Sequence, residues 1–211
     1  MQGASPQKQG AIVLFLILFL SVSSLLAAQD DNNPDVETDW DIYSSDLYVR
    51  GDQTFLITLG TVFPLVFVNN GAVMDNKISP PLGGTGLLAY NYYLDSIFFL
   101  GGEVGGMFLP TLGRNTIFFI SLGARAGMHF IAGRFEFPIN LSVGMTWHNY
   151  LSLGYYGLYT KFGAGAFFRA TSEWSFGITT QFGWYPEWTK DRSRNVDAYF
   201  LDTVLSARYH F

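Results

Sequence analysis

Glu103, Arg125, Glu136, Lys161, Arg169, Asp202 and Arg208 stand nearly alone inside long apolar stretches. Charges placed this sparsely serve ion transfer or, far more commonly, pair with one another as filling, because a buried charge needs a partner. Their depths along the segments that carry them bring Glu103 within reach of Arg125, Glu136 within reach of Arg169 and Arg208, and Lys161 within reach of Asp202. His148, in Trp147-His148-Asn149-Tyr150-Leu151-Ser152, is the best-placed base. Glu136 and Glu173 fall at the wrong end to orient it, so nucleophile, base and orienter do not assemble. His129 and His210 lie on segments expected to be far apart, which argues against a metal site. The expectation is a protein without enzymatic activity, metal or cofactor.

The elements that position these residues are legible from parity. In Phe135 to His148 the odd positions Phe135, Phe137, Ile139, Leu141, Val143, Met145 and Trp147 are large and apolar. The even positions Glu136, Pro138, Asn140, Ser142, Gly144, Thr146 and His148 are small or polar, an alternation of period two that marks a strand. The same pattern predicts strands over 53–63, 82–94, 97–108, 116–130, 135–148, 158–170, 174–185 and 196–211. Each is long enough to cross a bilayer when tilted. All the isolated charges fall on the face opposite the large apolar residues. Arg or Lys facing lipid at mid-membrane costs about 2–4 kcal/mol, so lipid contact demands this segregation. The fold class expected is all-β: an eight-stranded antiparallel transmembrane β-barrel in meander order.

Composition agrees. Hydrophobic residues make up 49% of the chain, charged residues only 14%, and phenylalanine occurs 20 times, too apolar and aromatic for an ordinary soluble domain. Cysteine is absent, which excludes disulfides, thiol chemistry and a cysteine-anchored lipoprotein. The net charge of −5 is concentrated before the first strand, in Asp30, Asp31, Asp35, Glu37, Asp39, Asp41, Asp46 and Asp52. No basic face for nucleic acid follows.

Lys8, the apolar run Ala11 to Leu20 and Leu26-Ala27-Ala28-Gln29 have the order of a secretory signal peptide, with cleavage expected after Ala28. Three regions are therefore expected: a signal peptide over 1–28, an acidic periplasmic tail over 29–52, and the barrel over 53–211. The connections alternate between tight turns at Asp95-Ser96, Ala132-Gly133 and Ser172-Glu173 and longer segments over 64–81, 109–115, 149–157 and 186–195. Phe63, Trp147 and Trp184 sit near one end of the strands. Tyr92, Phe135, Trp174, Tyr209 and Phe211 sit near the other, as interfacial girdles would. The expected location is a bacterial outer membrane, with both termini periplasmic and the long loops extracellular.

The last strand alternates Leu201, Thr203, Leu205, Ala207 and Tyr209 and ends on Phe211. It resembles the terminal strand by which outer-membrane barrels are recognised for assembly. The hairpin from Pro81-Leu82-Gly83-Gly84-Thr85-Gly86 through Tyr92-Tyr93 and Leu94-Asp95-Ser96 looks like those of the small barrels typified by the OmpA membrane domain, OmpX and OmpW. The resemblance implies Tyr209 and Phe211 as an assembly signal read by the barrel-assembly machinery. It also implies outer-membrane lipid and lipopolysaccharide-type glycolipid as surroundings and, through OmpW, a small hydrophobic ligand.

A barrel of this size is just wide enough for its own side chains. On parity, the bulky Tyr93, Phe99, Phe167, Arg169, Arg208 and His210 occupy the turn-side lumen, while Gly105, Gly123, Ser142, Gly144, Gly163, Gly165 and Gly183 line the other half. That predicts an outward-opening cup in which Phe67, Gly105, Gly144, Tyr155 and Gly165 receive or pass a small hydrophobic molecule. A structural or adhesive surface barrel with a filled lumen is the alternative, and a lipid-modifying enzyme a third. The glycines equally serve to relieve curvature.

Overall fold

Sustained alternation leaves each strand with one face for hydrocarbon and one for the interior. Backbone N–H and C=O groups in hydrocarbon must pair among themselves, so the sheet has to close. The computed structural model describes residues 48–69, 71–74, 81–111, 115–150, 153–187 and 195–211. The expected leader and nearly all of the acidic tail, residues 1–47, lie outside the described residues.

The strands are β1 (Gln53–Asn69), β2 (Ala72–Val73), β3 (Gly83–Tyr93), β4 (Phe98–Pro110), β5 (Thr116–Ala132), β6 (Phe135–Tyr150), β7 (Leu153–Arg169), β8 (Trp174–Glu187) and β9 (Val196–His210). β2 is a two-residue addition to β1, through Val68↔Val73 and Asn69↔Ala72. The other eight form an antiparallel meander that closes where β1 pairs β9, from Thr54↔His210 to Asn69↔Val196. Closure removes both sheet edges, which an open sheet would expose as unpaired backbone.

The two faces differ as lipid contact requires. Ile57, Leu100, Leu122, Leu141, Met145, Phe162, Ile178 and Leu205 point outward and are exposed, Leu205 at 69%. Glu103, Arg125, Glu136, Lys161, Arg169, Asp202 and Arg208 all point inward and are buried. This is a transmembrane barrel of the outer-membrane type.

Two boundaries differ from the sequence reading. β1 does not stop at Phe63. A bulge between Pro64 and Val66 carries it on to Asn69, and the proline, which has no N–H to donate, sits at the irregularity. The run Leu65 to Val68, expected as loop, is therefore largely ladder. The extra residue also reverses the alternation, so that Phe67 pairs with Ala198 and turns toward the lumen. β7 begins at Leu153 rather than 158, because Gly154, Tyr155, Tyr156 and Gly157 give no contrast between faces to mark a strand.

The tight turns have local causes. The Asp95 carboxylate accepts the N–H groups of Phe98 (2.6 Å) and Ile97 (2.8 Å), which hold its carboxyl below the ordinary carboxylate range. The second hairpin turns through Gly133-Arg134, one residue later than expected, with Gly133 in the left-handed region at φ 60°. Thr171 Oγ1 accepts from the Trp174 N–H (3.0 Å) in the third.

Candidate functional site

Inward-facing positions of successive strands stack the lumen in layers. Nearest the turns, Glu136 on β6 is fully buried and meets five partners. Arg208 lies 2.7 Å from its Oε2, Arg169 3.6 Å from its Oε1, and His129 Nε2 3.1 Å from Oε2. The hydroxyls of Tyr48 (3.1 Å) and Ser175 (3.2 Å) donate to the same carboxylate. Arg208 also lies 4.0 Å above the Phe167 ring.

The part played by Tyr48 and the meeting of His129 with His210 were not foreseen. Tyr48, assigned to the tail, is 2% exposed inside the barrel, stacked at 4.0 Å on Tyr93. It also bonds His210 Nδ1 at 3.2 Å. His129 and His210, expected on remote walls, converge on this cluster. Tyr48 packs against both rings, and His210 Nε2 meets Ser175 at 2.8 Å. In a barrel this narrow, opposite walls are within one side chain of a common partner. Among the described residues no group of three His, Cys, Asp or Glu is arranged to hold a metal ion.

One layer on, Glu103 lies 3.9 Å from Arg125, but its short contacts are hydroxyls: Ser142 Oγ at 2.8 Å and Tyr159 OH at 3.0 Å. Arg125 rests 5.8 Å from the Phe99 ring centre. Lys161 meets Asp202 at 3.8 Å.

The glycine-lined cup does not exist as an open space. Tyr159 lies over Gly123 and Gly144, and a Cβ built on Gly144 would come within 2.8 Å of its ring. Gly165 is covered by Phe167 and Thr179, at 3.0 and 3.1 Å from such a Cβ, and Gly105 by Ser121 at 3.2 Å. These glycines make room for neighbouring side chains. Above them Val62, Met107, Leu109, Tyr159, Tyr185, Ala198 and Phe200 form an apolar plug. Tyr159 and Tyr185 share lumen parity with Lys161 and Gly183, so the plug was readable in the alternation. Parity alone does not say which way a ring lies.

Among the described residues an open space lies higher, at the loop-side mouth: a cavity of about 380 Å³ whose walls include Phe67, Ile117, Phe119, His148, Glu187 and Val196. Of the expected cup residues whose side chains are described, Phe67 lines it. Tyr155 pairs with His148 in the ladder, and its side chain lies outside the described residues. Glu187 supplies the carboxylate that the sequence reading did not find for His148: Nε2 contacts Glu187 Oε1. Thr146, on the same face, donates its hydroxyl to the Ile120 carbonyl at 3.2 Å. At the opposite end Tyr209 packs on Trp174 and Phe211, each at 5.0 Å, and the Phe211 N–H reaches the Gln53 carbonyl at 3.0 Å.

Among known proteins, an uncharacterized protein of Treponema pallidum (strain Nichols) is 34% identical over 134 residues, 62% of this chain and 60% of its own length. A second uncharacterized protein of the same organism is 26% identical over 98 residues, covering 43% and 34% respectively. The chain thus spans less than two thirds of either relative. Of solved structures, Neisserial surface protein A superposes with a TM-score of 0.55 at 8% identity, over 76% of this chain and 97% of that one. A protein-family model matches residues 30–209. The chain belongs to the family which that model describes, and its described residues adopt the closed eight-stranded barrel of small outer-membrane proteins.

Proposed function

We propose that this barrel sits in a bacterial outer membrane, termini toward the periplasm and long loops outward, and captures a small hydrophobic molecule without transforming it. The observation that carries the reading is the mouth cavity of about 380 Å³, apolar on most of its wall and floored by the Tyr185 and Phe200 plug. That size lies within the range of small-molecule sites. Passage straight through would displace the plug and then the Glu136 cluster, so a captured molecule stays or leaves sideways into lipid. Outer-membrane lipid and lipopolysaccharide-type glycolipid surround the apolar belt, and Tyr209 and Phe211 present the strand that the assembly machinery reads.

The test uses the refolded chain in phosphatidylcholine nanodiscs with the fluorescent probe N-phenyl-1-naphthylamine. Val196→Trp, which fills the cavity from its wall, should abolish saturable binding, while Leu205→Trp on the lipid face should leave it unchanged. Planar-bilayer conductance should be small or absent. Equal probe binding by wild type and Val196→Trp would overturn capture. The structural or adhesive reading, which the filled lumen favours, would then stand.

A further inference from the structure

The mouth cavity has a chemical polarity that hydrophobic capture alone does not use. Its walls are carbon nearly all round: Phe67 and Phe200 meet edge to face at 5.9 Å, and Phe119 packs on Phe200 at 5.8 Å. Against this wall stand the imidazole of His148 from β6 and the carboxylate of Glu187 from the end of β8. The imidazole is buried, with its ring centre 5.2 Å from that of Phe119. The Glu187 side chain keeps 34% of its surface.

His148 therefore works as a positioning residue. Its Nε2 contacts one Glu187 carboxylate oxygen, which holds the rim carboxylate over the apolar wall instead of letting it swing into solvent. A carboxylate has more acceptor sites than one contact fills, so Glu187 remains able to accept. The rim carboxylate stands at the edge of a low-dielectric pocket, where a charge-assisted hydrogen bond to a donor is strongest.

Resting on the capture reading, we infer that the ligand is an amphiphile with a cationic or hydrogen-bond-donating head, an ammonium above all, bound at Glu187. Its short apolar tail lies against Phe67, Ile117 and Phe119. A carboxylate-headed molecule of the same tail meets like charge and is disfavoured. The ligand class thus follows from charge complementarity at the rim, and the tail length from the cavity.

The experiment compares octylamine, octanol and octanoate as competitors of N-phenyl-1-naphthylamine on the refolded chain in phosphatidylcholine nanodiscs at pH 8. Protein-free nanodiscs are subtracted. Octylamine should displace the probe at about tenfold lower concentration than octanoate, the ratio one charge-assisted hydrogen bond supplies. Glu187→Gln should collapse that preference while leaving probe binding intact, and Glu187→Lys should reverse it in favour of octanoate. Equal competition by amine and carboxylate in the wild type, or a preference untouched in both variants, would overturn the inference. If Val196→Trp abolishes probe binding while head-group preference is absent, only this inference falls. If Val196→Trp changes nothing, capture itself falls and takes the inference with it.

Discussion

Glu136→Ala removes the carboxylate on which the turn-side lumen converges, and the structure shows which partners suffer. Tyr48 and Ser175 keep His210, and His129 keeps the Tyr93 hydroxyl at 2.8 Å. Arg208 has Glu136 as its carboxylate partner at 2.7 Å and, without it, keeps contacts with uncharged groups such as His129 and the Phe167 ring. Most of the cost is therefore a buried guanidinium without its counter-charge, about 3–5 kcal/mol. Arg208→Ala should cost less, because Glu136 keeps Arg169, His129 and two hydroxyls. The double variant should fall short of the sum by about 1.5–3 kcal/mol. The same cycle with Arg169, 3.6 Å away, should give a coupling of about 1 kcal/mol or less. Guanidinium unfolding of the barrel in phosphatidylcholine vesicles, followed by tryptophan emission and by gel mobility with and without heating, measures all of these. Additive effects for Glu136 and Arg208, or stronger coupling to Arg169 than to Arg208, would refute the reasoning.

Leu141→Arg, on a lipid-facing side chain, should cost about 2–4 kcal/mol, several times the cost of Ser142→Thr one residue away in the lumen. Equal costs in bilayer unfolding would mean inside and outside are exchanged. Deleting Phe211 should impair assembly and leave export intact. Normal heat-modifiable mobility of the truncated protein from outer-membrane fractions counts against that. Gly144→Trp should fail to fold, since a Cβ there already collides with the Leu122 carbonyl and the Tyr159 ring. A well-folded variant by circular dichroism would contradict the filled lumen. Asp95 has a carboxyl held low in the folded state, so its contribution is present above the ordinary carboxylate range and fades as pH falls through the folded value. The stability gap between wild type and Asp95→Ala should narrow on acidification below pH ~4. A gap independent of pH would show that the turn hydrogen bonds do not need the charge.

The order of residues along the chain fixes which face each strand turns to lipid, and with it the barrel. Alternation is a property of neighbouring residues, and a charge on the lipid side is costly enough to leave a clean pattern from Phe55 to Tyr209. Pairing of charges at matching depth was also legible, because depth follows from counting along a strand. Which side chains meet across the lumen is set by the closed fold. The bulge at Pro64 turned Phe67 inward, a reversal that no parity count includes. Tyr159 bends over Gly123 and Gly144, so the residues that looked like an empty cup became the bed of a plug. Tyr48, outside any periodic segment, completes the cluster from below, and Glu187 reaches His148 from two strands away. Each of these contacts depends on the register of every pair around a closed circle and on how far a long side chain reaches. Residue type and spacing along one strand carry neither quantity.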